Sequence, residues 1–153
     1  MKTIFIGGAW DLFHDGHLLT LEKAKKLRDR LVVLVNSDAR IRFRKGNNRP
    51  IIPQKSRARI LEALRIVDEV VLGTSKGPVP EDLDTIRLVK PDKWVLHRDP
   101  TPEEEAVKDL GIEIVRFPYI KSPSGLNTTK IIDKIRKGDK VNIVTKKKVG
   151  EYK

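Results

Sequence analysis

Residues 1–27, MKTIFIGGAWDLFHDGHLLTLEKAKKL, hold the pattern on which the fold turns. The apolar run over residues 2–7 reads as a buried strand, and Gly7 and Gly8 break it. Over residues 17–28, Leu18, Leu21, Ala24 and Leu27 recur at helical spacing, with Lys23, Lys25, Lys26 and Arg28 around them. The stretch that joins strand to helix carries His14 and His17, two of the three histidines in the chain. A strand that passes through a glycine turn into a helix is the opening unit of an alternating α/β fold.

The alternation continues outward from there. RLVVLVN (30–36) is a near-continuous apolar run of the kind that parallel sheets require. Residues 37–53 are polar, contain glycine and proline, and carry five arginines or lysines, so they read as a long basic loop with room for a short helix. Pro53 precedes a helix to about Leu64, and DEVVLG (68–73) is a third strand. Pro80 suits the first turn of a helix to about Lys90, where Glu81 and Asp82 complement the dipole. KWVLH (93–97) is a fourth strand, Pro102 opens a short helix that Gly111 ends, and IEIVRF (112–117) is a fifth strand. NTTKIIDKIRKG (127–138) is a final helix, capped by Asn127 or Thr128, with Gly138 past its end. The expectation is one α/β domain over residues 1–138, a Rossmann-like, doubly wound sheet of five parallel strands, followed by a basic tail over 139–153. In such sheets ligands bind beyond the carboxyl ends of the strands, at the switch point. GGAWDLFHDGH lies where that rule places a site.

Composition narrows the function classes. The 153 residues contain no cysteine, which excludes a disulfide framework, a thiolate zinc site and a cysteine nucleophile, and fits a cytoplasmic location. No apolar run approaches the length of a membrane span, and the opening apolar stretch is too short for a signal peptide. The formal net charge of +11 favours anionic partners. Aromatic residues make up only 5%, with no interleaving of basic and aromatic positions for stacking bases, so nucleotide binding is expected rather than nucleic-acid binding.

Gly7 and Gly8 allow a tight turn and a close approach of backbone to ligand. A helix that starts near Gly16 or His17 offers unpaired N–H groups and partial positive charge, which suit a phosphate. The imidazoles of His14 and His17 can donate hydrogen bonds to its oxygens. The spelling matches neither the dinucleotide fingerprint nor the P-loop. Asp11, His14 and His17 are also a set that could ligate a metal, but the break at Gly16 and the missing fourth group argue against it. No protein metal ligand is assigned.

At this point the residues carry a resemblance. GGAWDLFHDGH resembles the G-x-F-D-x-x-H-x-G-H signature of the cytidylyltransferase-like nucleotidyltransferases, with Trp10 in place of the usual phenylalanine. VNSD (35–38) and RKGNNRPIIPQKSRARILEALRIVDEVV (44–71) are similar to the corresponding stretch of both adenylyl- and glycerol-type cytidylyl-transferring members, and most resemble the adenylyl-transferring ones. GLNTTKIIDKI (125–135) looks like the family's G-x-S-T-T-x-I ending. The likeness runs in order over about residues 3–136.

The resemblance implies transfer of a nucleoside monophosphate from ATP or CTP to a phosphorylated acceptor, such as a sugar phosphate, FMN or a polyol phosphate, with Mg²⁺ entering on the triphosphate. It implies that backbone around Gly8, Ala9, Trp10 and Asp11, with Gly16, meets the nucleotide, and that His14 and His17 stabilise charge during transfer. Lys45 would reach the triphosphate and Arg57 its outer end. Asn127, Thr128 and Thr129 would meet phosphate at the last helix. Two departures concern substrate choice: Ser122 stands where glycerol-type cytidylyltransferases carry an arginine, and His97, Arg98 and Asp99 replace a glycine followed by acidic residues. His97, Asp99 and residues 118–128 are the candidates for contact with the base. ATP is favoured over CTP, and a homodimer is common in look-alikes. A nucleotide-binding module without turnover and an RNA-binding protein are the competing functions.

Overall fold

The computed structural model describes residues 1–27, 29–77, 82–97 and 104–138. The expected basic tail at 139–153, together with Asp99, lies outside them.

β1 (Thr3–Gly8) is followed by α1 (Asp15–Lys25), β2 (Arg30–Val35), α2 (Asp38–Lys45), α3 (Gln54–Glu62) and β3 (Glu69–Leu72). Then come α4 (Asp82–Val89), β4 (Lys93–Leu96), α5 (Glu105–Lys108), β5 (Glu113–Arg116) and α6 (Thr128–Arg136). The five strands form one parallel sheet in the order β3-β2-β1-β4-β5. The chain winds outward from β1 to β3, then returns to lay β4 on the other side of β1. The switch point therefore falls between β1 and β4, at their carboxyl ends.

The pleat sorts the core into two layers. Ile4 and Ile6 of β1, with Leu31, Val33 and Val35 of β2, face Leu21 and Ala24 of α1 and Ala58 and Leu61 of α3. Phe5, Val32, Leu34, Trp94 and Leu96 point the other way, onto Ile86 of α4 and Val107 of α5. All but one of these side chains, Leu96 at 6%, are less than 5% exposed, so the sheet is covered on both faces, as the apolar runs require.

The basic stretch after β2 holds one short helix, Asp38–Lys45, and runs on as a loop to Pro53. Ser37 caps α2 by accepting the Arg40 N–H at 3.0 Å, and Gly46, at φ 92°, ends it. Apolar periodicity could not reveal this helix, because Ile41 is its single buried residue and Phe43 is 59% exposed. Of the two candidate caps for α6, Asn127 fills the role and accepts the Lys130 N–H at 2.9 Å.

Candidate active site

Above the carboxyl ends of β1 and β4 lies a cleft of about 460 Å³, bordered by Gly7 to Asp11, the start of α1, Lys45, Arg49, His97, the segment from Tyr119 to Leu126, and the start of α6. A second hollow of about 270 Å³ adjoins it, bordered by Asn36, Ile41 and Arg44. Gly7, Gly8, Ala9, Lys45 and His97 border both.

The turn out of β1 is built around Trp10. Its backbone takes the left-handed conformation (φ 54°), and its indole N–H donates to the Leu34 carbonyl at 3.0 Å. A Cβ on Gly8 would come within 2.8 Å of that ring, so the position requires glycine. Trp10, whose backbone the resemblance places near the nucleotide, borders the cleft, while its side chain is 5% exposed with the indole N–H committed to a backbone carbonyl. Asp11 is similar. Its carboxylate, 1% exposed, accepts the N–H groups of Ile51 and Ile52 at 2.8 and 2.9 Å and lies 3.4 Å from Arg49 Nε. It fastens residues 49–52 to the β1 turn, which leaves only its backbone to meet a ligand. Even its carbonyl is engaged, by the Thr128 hydroxyl at 3.0 Å.

The histidines form the cap of α1. His14 Nδ1 accepts the Gly16 N–H at 3.1 Å, and the His14 N–H points at His17 Nδ1 at 3.4 Å, a reciprocal capping box made of imidazoles. A ring nitrogen that accepts carries no proton, so the hydrogen of each neutral ring sits on Nε2. The rings stack at 3.8 Å, and Phe13 and Trp10 each lie 5.5 Å from His17. Burial within that cluster, then the nearby His14 and Lys45, pull the His17 pKa down to about 3. Burial also lowers His14, with Asp15 opposing. At neutral pH the cleft is thus bordered by two uncharged Nε2–H donors, beside a helix N-terminus whose partial charge favours an anion. Gly16 makes the arrangement possible, since a Cβ there would meet the His14 ring and the Ser122 Cβ at 3.0 Å.

Lys45 is the last residue of α2 and stands between the two hollows. Desolvation, then the charges of Arg49 and Arg44, lower its pKa. An ammonium so crowded by like charge gains from an incoming anion. His97 follows β4 and sits edge-on to Phe117, with centroids 5.8 Å apart. The surrounding protein lowers its pKa through desolvation. Asn127, Thr128 and Thr129 bring the start of α6 to the cleft.

Arg57, expected from the resemblance at the outer phosphates, borders neither hollow. It is 0% exposed. Its guanidinium donates to the Ile52 carbonyl at 2.8 Å, the Asn36 carbonyl at 2.9 Å, Asp38 Oδ1 at 2.6 Å and the Ala9 carbonyl. Four of its five N–H hydrogens tie together the ends of β1 and β2, the start of α2 and the 49–52 segment. Conversely, Arg49 counts in the sequence only as one of the five basic residues of 37–53, yet it borders the cleft beside Asp11. No local signal marks it, because its place depends on the Asp11 carboxylate 38 residues away.

Comparison with known proteins gives the family and the fold. A family model described as Cytidylyltransferase-like matches residues 5–134. The chain is 38% identical over 138 residues to a protein named FAD synthase from Pyrococcus horikoshii, which covers 86% of this chain and 90% of that one. It is 43% identical over 134 residues to the bifunctional protein HldE of Syntrophotalea carbinolica, covering 86% of this chain but only 26% of HldE. Among solved structures, a lipopolysaccharide core biosynthesis protein from Thermoplasma volcanium superposes with a TM-score of 0.64 at 30% identity, over 78% of this chain and 98% of that one. A pantoate-beta-alanine ligase from Francisella tularensis shares the fold alone, at TM-score 0.56 and 19% identity, over 86% of this chain and 67% of the ligase. The family match begins within β1, ends within α6 and takes in every element between them, so this protein belongs to the cytidylyltransferase-like family.

Proposed function

We propose that the protein transfers a nucleoside monophosphate from a nucleoside triphosphate, preferentially ATP, to a phosphorylated small molecule, with release of pyrophosphate. The observation that carries this reading is the pair of hollows sharing one border of Gly7, Gly8, Ala9, Lys45 and His97. The larger hollow, with two imidazole donors and two helix starts, suits the triphosphate. The smaller, with Asn36 and Arg44, suits the phosphate of an acceptor. The reacting α-phosphate belongs on the shared border.

The chemistry needs no strong base. A phosphate monoester has a second pKa of about 6 and arrives ionised. Its oxygen forms a bond to the α-phosphorus, the bond from that phosphorus to the bridging oxygen breaks, and pyrophosphate leaves with the electron pair. The protein has to bring two anions together and stabilise charge on the oxygens as it shifts. Nε2–H donors on His14 and His17, the Lys45 ammonium and the helix starts supply that stabilisation. Mg²⁺ fits this scheme as a companion of the triphosphate. Among the described residues no group of three His, Asp or Glu side chains could hold a metal, and the Asp11 carboxylate is occupied. The ion would keep mostly phosphate and water ligands and neutralise phosphate charge.

The name of one relative, FAD synthase, favours adenylyl transfer, since FAD carries an adenylyl group. So does Ser122, which borders the cleft where glycerol-type cytidylyltransferases carry an arginine. The test is pyrophosphate release with ATP, CTP, GTP and UTP in the presence of Mg²⁺, against FMN, sugar phosphates and glycerol phosphate. Turnover with ATP above CTP supports the reading, and a preference for CTP moves the protein to cytidylyl transfer. Nucleotide binding without turnover on any acceptor would leave a binding module. Salt-dependent RNA binding that ATP does not compete for would overturn both. The homodimer expected from the resemblance is checked by sedimentation.

A further inference from the structure

Asp15 poses an electrostatic problem. It sits between His14 and His17, next to the proposed triphosphate site, where a carboxylate would repel phosphate. The favourable term for an acidic residue in the first turn of a helix accounts for part of its presence. It does not account for where the two oxygens go. Asp15 Oδ2 accepts the Ser124 N–H at 2.8 Å and Oδ1 accepts the Ser124 hydroxyl at 2.8 Å, across 109 residues of sequence.

Ser124 is the centre of a tight turn. Its hydroxyl also lies 3.1 Å from that of Ser122, and the Gly125 N–H closes onto the Ser122 carbonyl at 2.9 Å. Ser122 is 5% exposed and packs where a Cβ on Gly16 would stand. This turn leads directly into the Asn127 cap of α6, and its neighbours Tyr119, Ile120 and Leu126 form one wall of the larger hollow. The geometry points to Asp15 as a positioning residue, which clasps the Ser122–Gly125 turn against the start of α1 and so sets the wall that faces the nucleotide. One turn of α1 then carries both imidazole donors and the anchor of the opposing wall. The clasp also directs the carboxylate's lone pairs into N–H and O–H donors.

The inference rests on the nucleotide-binding reading above, and the experiment separates the two. Wild type, Asp15→Ala, Asp15→Asn, Ser124→Ala and the double variant Asp15→Ala/Ser124→Ala are compared in ATP binding by calorimetry and in tryptic cleavage after Lys121, an exposed residue of the same segment. Asp15→Ala is expected to weaken ATP binding about tenfold, the scale of one lost charge-assisted hydrogen bond, and to speed cleavage after Lys121. Asp15→Asn, which keeps one acceptor, falls between wild type and Asp15→Ala. The double variant loses less than the product of the two single losses, because the Asp15–Ser124 contact is removed by either substitution. Turnover at saturating ATP stays within about twofold, so the loss appears in KM and not in kcat. Multiplicative losses in the double variant, or unchanged cleavage after Lys121 in Asp15→Ala, would overturn the clasp. If wild type binds no nucleotide while cleavage still responds to Asp15, the functional reading fails and the clasp stands.

Discussion

Replacing Arg57 separates two roles that the same residue type could play. If its guanidinium met the triphosphate, Arg57→Ala would abolish turnover and leave stability almost unchanged. The structure demands the opposite weighting. Arg57 is fully buried and donates to three backbone carbonyls and the Asp38 carboxylate. Truncation leaves those carbonyls without a donor, and an unsatisfied buried acceptor costs about 1–3 kcal/mol. Asp38 recovers part of its loss, because its side chain is 32% exposed and can rehydrate. Breaking a buried charged pair from one side costs about 3–5 kcal/mol, and we place Arg57→Ala in that range. For a chain of this size each kcal/mol moves Tm by about 2–4 °C, so the expected fall is roughly 10 °C. Arg57→Lys restores the charge but not the planar fork, and should recover less than half of the loss. Urea unfolding measures the cost as a lower midpoint at unchanged slope. An Arg57→Ala protein within about 0.5 kcal/mol of wild type would refute the bracing role and return the residue to the phosphates.

Other expected outcomes concern the cleft itself. His14→Ala or His17→Ala should lower turnover about a hundredfold, as removal of a charge-stabilising donor does, with a smaller effect on nucleotide binding; near-normal kcat in both would reject the pair. Lys45→Ala should weaken triphosphate binding more than monophosphate binding in calorimetry, since a lysine acts as a point charge on the outer phosphates; equal losses would make it a bystander. The folded pKa of His17, about 3, lies below its unfolded value of about 6.5. Between those values the unfolded chain binds the extra proton, so stability is complete above pH ~6.5 and is lost as pH falls toward 3. The lowered pKa values of His14 and His97 act in the same direction. Urea midpoints at pH 7 and pH 4.5 should therefore fall less for His17→Gln than for wild type, and equal falls would mean that His17 protonates freely in the folded protein.

The sequence by itself determined the layering and the address of the site. Strand and helix alternate because apolar period and Gly/Pro breaks are local properties. The two imidazoles at one helix start follow from a spacing of three residues. The boundary that sequence blurred, the helix at Asp38–Lys45, has one buried residue and so no apolar stripe to announce it. What only the tertiary structure decided is which motif side chains are engaged in bracing the fold. Asp11, Arg57 and Trp10 are polar or amphipathic residues in the right motif, and their types suit a phosphate or a base as well as a brace. Their partners are the N–H groups of Ile51 and Ile52, the carbonyls of Ala9 and Asn36, and the carbonyl of Leu34, all supplied by other loops and strands. A buried polar group must be satisfied by whatever the fold brings within about 3 Å. That partner is a property of the closed sheet and its crossing loops, and it is written in no single stretch of the chain.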